Sequence, residues 1–228
     1  MKRLLILDLD NTFYTYEHSH SIGLKKTFEY QKIFQSFDEF KNSYEKAKSE
    51  TQEEIPMSPS KHSKLIYFKK MFSNKLSLNE INKIENIYWT EFIKNGKLQK
   101  KAIERLKKEK NSDNVYVLFT NQNLNIQLRK IDEWGIDFFD AIVTSEEAGY
   151  EKPMEEFFNF VKTLVNEYYE NGYKVFALGD SYINDLDYWI NEYDAEAYLV
   201  NNDLSEVLFT EGIKNTNLDI SIDEIFNY

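Results

Sequence analysis

Two aspartates one residue apart, Asp8 and Asp10, close the apolar run Leu4–Leu7 in "LLILDLDNT". Like charges this close repel, so the pairing is costly unless a cation or a reaction uses it. The plain alternative is a strand running into an Asx turn with both acids solvated, which Asn11 and Thr12 permit. Three further apolar runs end in chemically capable residues. "VYVLF" leads to Thr120 and Asn121, "AIVTS" is soon followed by Lys152-Pro153, and "KVFALG" ends at Asp180, with Asp185 one turn later. A phosphate ester gives each type a task. One carboxylate can attack phosphorus and form an acyl phosphate. A second can protonate the leaving oxygen and then deprotonate water. A hydroxyl, a lysine and Mg²⁺ can position and neutralise the equatorial phosphoryl oxygens. Mg²⁺ takes hard oxygen ligands from one or two carboxylates, water and phosphate, a demand that Asp180 and Asp185 meet.

These residues depend on the elements that carry them. The runs at 3–9, 115–120, 141–145, 174–179 and 196–200 read as buried strands, the last of them closing the series, and helical patterns alternate with them. Continuous apolar strands in a β-α alternation predict an α/β fold, a doubly wound parallel sheet. Such sheets bind ligands at the carboxyl ends of their strands, which is where every candidate stands. More than a hundred residues separate the first strand from the second, whereas a βαβ unit needs only about 30. The excess predicts an inserted helical unit at 15–95, with a core of 1–14 and 96–228. Its periodic stripes are Tyr30, Ile33, Phe34 and Phe37; then Phe40, Tyr44 and Ala47; then Leu65, Phe68 and Phe72; then Ile81, Ile84, Tyr88 and Phe92. They predict about four helices, with Pro56 and Pro59 in the break between the second and third. On the core helix after the second strand, Leu124, Leu128 and Ile131 form the apolar face, and Gly135 ends it.

"DLDNT" at 8–12, "FTN" at 119–121, "EKP" at 151–153 and "GDSYIND" at 179–185 together resemble the four ordered motifs of the haloacid dehalogenase superfamily. The insertion falls where that superfamily carries a helical cap. The resemblance implies Asp8 as nucleophile and Asp10 as general acid/base that also lends a backbone carbonyl to Mg²⁺. It implies Thr120 and the backbone of Asn121 on the phosphoryl oxygens, Lys152 balancing the charge, and Asp8, Asp10, Asp180 and Asp185 around Mg²⁺. Asp187 reads instead as a helix N-terminal acid. His18 and Lys25, with His20 and Lys26 beside them, lie at the entrance to the insertion and are candidate substrate contacts. Asp10 argues for a phosphatase or phosphomutase, since the dehalogenase branch lacks this second acid. The wording "DLDNTFY" is closest to pyrimidine 5'-nucleotidase-like members, which makes a nucleoside 5'-monophosphate one candidate substrate and sugar phosphates another. A receiver-like phospho-signalling module is the alternative from another class; the insertion and "GDSYIND" count against it.

Composition bounds the partners. The 228-residue chain is 42% hydrophobic, contains no cysteine and carries a formal charge of -11. An acidic balance of this size argues against nucleic acid or an anionic membrane and leaves a small phosphorylated substrate as the partner. No apolar stretch reaches the roughly 18 residues of a membrane span. The four-residue run before Asp8 is shorter than the ~7–15-residue apolar h-region of a signal peptide, so the expected location is cytoplasmic. Nothing in the sequence sets an oligomeric state.

Overall fold

The computed structural model describes residues 1–210 and 213–227. Its strands are β1 (Arg3–Leu7), β2 (Asn114–Thr120), β3 (Ala141–Thr144), β4 (Lys174–Gly179), β5 (Glu196–Val200), β6 (Leu208–Thr210) and β7 (Ile213–Thr216). They form one sheet in the order β3-β2-β1-β4-β5-β7-β6, parallel throughout except for the β6–β7 pair. The order reverses at β1, whose partners β2 and β4 belong to the two halves of the winding. This is the switch point at which such sheets open a crevice for ligands.

Alternation along the strands feeds two apolar layers. Leu5, Leu7, Tyr116, Leu118, Phe176 and Leu178 face one side. There they meet α5 (Lys100–Glu109), α6 (Leu124–Trp134) and α10 (Leu218–Asn227). Leu4, Ile6, Val115, Val117 and Ala177 face the other, under α8 (Glu155–Glu170) and α9 (Asp187–Tyr193). Covering on both sides explains why the central strands read as unbroken apolar runs. A short α7 (Ser145–Ala148) follows β3 directly.

Between β1 and β2 stand α1 (Tyr16–Tyr30), α2 (Phe37–Glu54), a 3₁₀ turn (Pro59–His62), α3 (Lys64–Phe72) and α4 (Leu78–Lys94). The insertion is helical as expected, and Pro59 opens the turn between α2 and α3. The Tyr30–Phe37 stripe, however, is not a helix. Gln31 ends α1, its side-chain oxygen accepting the Ile33 and Phe34 amides at 2.6 and 2.8 Å, and Ser36 caps α2. The first helix lies earlier and buries Ser19, His20, Gly23, Leu24 and Thr27. That face has helical spacing but small and polar residues, so hydrophobic periodicity passes over it.

Two further expectations are corrected. Strand β5 is not the last, since β7 pairs with it and β6 folds back on β7. Both are short and only partly apolar, and β6 forms the edge of the sheet. The inner face of α6 is Ile126, Gln127, Lys130 and Ile131, while Leu128 is exposed.

Candidate active site

Asp8, Asp10, Thr120, Asn121, Lys152, Asp180 and Asp185 converge on one small cavity of about 140 Å³. Asp8 leaves the end of β1 with its amide still bonded to the Leu178 carbonyl at 3.0 Å. Asn11 then takes a left-handed turn at φ 60° and Phe13 donates back to the Leu9 carbonyl at 3.0 Å. The reversal, which asparagine tolerates better than most residues, keeps Asp10 beside the strand end.

Lys152 is the buried hub. Its ammonium donates to Asp8 Oδ1 at 3.0 Å, to Asp185 Oδ1 at 2.6 Å and to the Phe119 carbonyl at 2.6 Å. The Asn121 side chain clasps the Lys152 backbone from both sides, accepting from its amide and donating to its carbonyl at 2.8 Å each. Asn121 thus acts on Lys152 as a splint, beyond whatever its own backbone supplies. Burial pushes the Asp8 carboxyl well above the usual range, with Lys152 opposing and the Asp185, Asp10 and Asp180 charges adding to the rise. Lys152 is held above its ordinary value because Asp185 and Asp8 outweigh its own desolvation.

Asp8, Asp180 and Asp185 can each bring one carboxylate oxygen within 4.8 Å of the others. Asp180 opens to solvent, yet desolvation and the neighbouring Asp185 raise it to about 6. A cation placed among these oxygens would relieve that repulsion. Gly179 makes room for the cluster. A Cβ there would fall 2.3 Å from the Asp185 Cβ, far inside contact distance. Hard oxygens only, in a crowded acidic group with one side open to water, suit Mg²⁺.

Asp10 belongs to a second network that the sequence did not announce. Lys130, fully buried on α6, reaches Asp10 Oδ1 at 2.5 Å. Tyr14 donates its hydroxyl to the same oxygen. Gln127 donates to Asp10 Oδ2 at 3.1 Å and to Thr120 Oγ1 at 2.7 Å. Desolvation alone would raise the Asp10 carboxyl, but Lys130, Tyr14 and Gln127 together hold it below its ordinary value. Thr120 lines the cavity and, accepting from Gln127, keeps its own hydroxyl proton to donate. The Lys130 ammonium also lies within 5.3–5.8 Å of the Tyr14, Phe92 and Trp89 ring centres, a cation–π cage that reaches into α4.

His18 and Lys25 lie apart from this gathering. Both are on α1; Lys25 is exposed, and neither lines the cavities described here. Lys26 pairs with Glu29 on the surface, whereas His20 turns inward, its Nδ1 at 2.6 Å from the Tyr88 hydroxyl. Asp187 begins α9, as a helix N-terminal acid should.

The family model for haloacid dehalogenase-like hydrolase matches residues 2–187. The chain belongs to this family and is an enzyme. A ribulose-1,5-bisphosphate 5-phosphatase of Halopiger xanaduensis is 27% identical over 165 residues, covering 69% of each chain. Among solved structures, the HAD hydrolase YfnB of Bacillus subtilis, bound to magnesium, superposes with a TM-score of 0.68 at 20% identity, over 100% of this chain and 99% of that one. A HAD phosphatase of Thermococcus onnurineus gives 0.64 at 18%, over 99% and 98%. At these identities the structural likeness speaks for the fold. Among the described residues no helix is long and apolar enough to cross a membrane.

Proposed function

We propose that this hydrolase is a Mg²⁺-dependent phosphatase of small phosphomonoesters, working through an aspartyl phosphate on Asp8. The observation that carries the reading is the pair of separately wired carboxylates. Asp8 is coupled to Lys152 and Asp185, and Asp10 to Lys130, Tyr14 and Gln127. In this reading Asp8 makes the attack, with Lys152 and a bound cation keeping its carboxyl ionised against burial, and Asp10 moves the proton.

In the first half-reaction an Asp8 oxygen attacks phosphorus and the bond to the leaving oxygen breaks, with Asp10 delivering a proton to that oxygen. In the second, water attacks the phosphoryl group, Asp10 takes the water proton, and the bond to Asp8 breaks to release phosphate. Thr120 and the Asn121 backbone hold the phosphoryl oxygens, and Lys152 balances the charge of Asp8 and phosphate. Asp8, Asp180 and Asp185, with the Asp10 carbonyl, would hold the Mg²⁺. When bound, the ion supplies positive charge for the phosphoryl oxygens. The ionised Asp10 of the resting site suits the second half-reaction, so its first task must begin with proton uptake.

Residues 15–95 act in this reading as a cap over a core of 1–14 and 96–228. Supporting it, Glu151, next to Lys152, binds Lys61 at 2.6 Å and His62 at 2.9 Å in the inserted turn. The Halopiger relative, whose name specifies a sugar bisphosphate, favours sugar phosphates over nucleotides as the substrate class. Membership in a hydrolase family leaves the receiver-like alternative without support. The test is phosphate release from nucleotides, sugar phosphates and small phosphoacids, with Mg²⁺ and with EDTA. Release that requires Mg²⁺ supports the reading, and no release from any ester with Mg²⁺ present overturns it.

A further inference from the structure

A second cavity, of about 400 Å³, lies among α1, α2 and α3. It is large enough for a fragment of several carbons. Its wall is basic in an acidic protein, with Lys41, Lys48 and Lys64 lining it. The facing acids are two. Glu45 is taken up by Lys48 at 3.4 Å, and Glu17 is exposed. Lys64 is the unusual member, a buried ammonium held by aromatic faces and one carbonyl where a carboxylate would be expected. Its Nζ lies 5.1 Å from the Tyr67 ring centre and 5.9 Å from that of Tyr16, with the His62 carbonyl at 3.5 Å. Tyr44, wholly buried on the same wall, carries a hydroxyl with no hydrogen-bond partner. A buried cation and an unpartnered hydroxyl on one cavity wall are a donor set awaiting an acceptor. Burial, with repulsion from Lys48 and Lys130, brings Lys64 down to about 7. The cavity also adjoins the catalytic network. Phe92 packs on Tyr14, which holds Asp10, and on Tyr16, which lines the cavity.

We propose that this cavity receives a second anionic group of the substrate, so that the preferred substrates are bisphosphates or phosphoacids over monophosphates with an uncharged tail. The inference rests on the phosphatase reading and narrows it. A phosphate or carboxylate there would be recognised by Lys64 and the Tyr44 hydroxyl, with Lys48 at the rim.

The test compares kcat/KM within matched pairs: fructose 1,6-bisphosphate against fructose 6-phosphate, and 3-phosphoglycerate against glycerol 3-phosphate. The first pair reads a second phosphate and the second a carboxylate. The wild-type protein should prefer the doubly charged member of at least one pair. Lys64→Met should cut that preference roughly 10–100-fold, as loss of a charged hydrogen bond does. Lys48→Met should cut it less, and Lys83→Met on the outside of α4 should leave it unchanged. Melting curves verify that each variant is folded. No preference in the wild type, or a Lys64→Met variant with the preference intact, overturns the inference. Calorimetric titration of the same pairs into the Asp8→Asn protein reads the cavity without turnover. Tighter binding of the doubly charged members there, with no hydrolysis by the wild type, would keep the cavity and discard the phosphatase reading; equal binding would discard the cavity.

Discussion

Lys130 and Asp10 form an ion pair at 2.5 Å in which the lysine is wholly buried and the carboxylate opens to the active-site cavity. Burial pulls the lysine below its ordinary value and Asp10 pulls it back. Each charge is therefore the other's main reason to stay ionised. Removing one partner of such a pair strands the second, at a cost of about 3–5 kcal/mol. Lys130→Met should destabilise the protein by about 3 kcal/mol, the lower end, because water can reach Asp10. Adding Asp10→Asn to Lys130→Met should recover part of that loss. Urea unfolding of the two single variants and the double measures the coupling, and strict additivity would show that the pair contributes nothing.

The two aspartates should fail differently. Asp8→Asn should abolish turnover with every ester. Asp10→Asn should slow poor leaving groups by about 10²–10⁴-fold, the usual worth of general acid-base help. With nitrophenyl phosphate the phosphorylation step should largely recover, since nitrophenolate departs without a proton, while hydrolysis of the aspartyl phosphate stays slow. Rapid-quench burst measurements separate the two steps.

Mg²⁺ should stabilise the folded state by mass action, about 2.7 kcal/mol at one hundred times its dissociation constant. The melting temperature should rise with Mg²⁺ and return to its starting point with EDTA. Asp180→Asn should need a higher Mg²⁺ concentration for the same rise. An identical titration in both proteins would remove Asp180 from the ligand set.

Gly179→Ala puts a methyl group 2.3 Å from the Asp185 Cβ, so Asp185 must move. It would then lose its reach to Lys152 and to the Ser181 amide, now 2.6 and 3.0 Å away. Activity should fall by at least an order of magnitude, in line with the sensitivity of catalysis to small displacements. Phosphate-release assays at saturating Mg²⁺ check this.

Glu196 offers a pH test away from the active site. Burial raises its carboxyl, but Lys174, Lys214 and the Tyr198 hydroxyl outweigh that and bring it down to about 2. A depressed carboxylate adds stability above its unfolded value of about 4.5, and that stability is lost as pH falls toward 2. Glu196→Gln should thus be less stable than the wild type at pH 7, with the gap closing between pH 4.5 and 2. Urea midpoints across that range give the comparison.

The sequence by itself determined the five parallel core strands, the helical character of the segment between the first two, and the residues that stand at the strand ends, but not the two added strands β7 and β6. Apolar runs and their spacing report local burial, and the ends of parallel strands must lie along one edge. Asp8, Thr120, Lys152 and Asp180 were therefore legible from position alone. Only the tertiary structure decided the rotation of α6, which turns Gln127 and Lys130 inward and Leu128 outward. Hydrophobic spacing argues for a different rotation, one that shares only Ile131 with the observed face, because the energy that overrides it comes from Asp10, some 120 residues away. The same holds for α1 and for Lys64. A buried polar face has no apolar signature, and its stability depends on partners that the chain brings together only when it is folded.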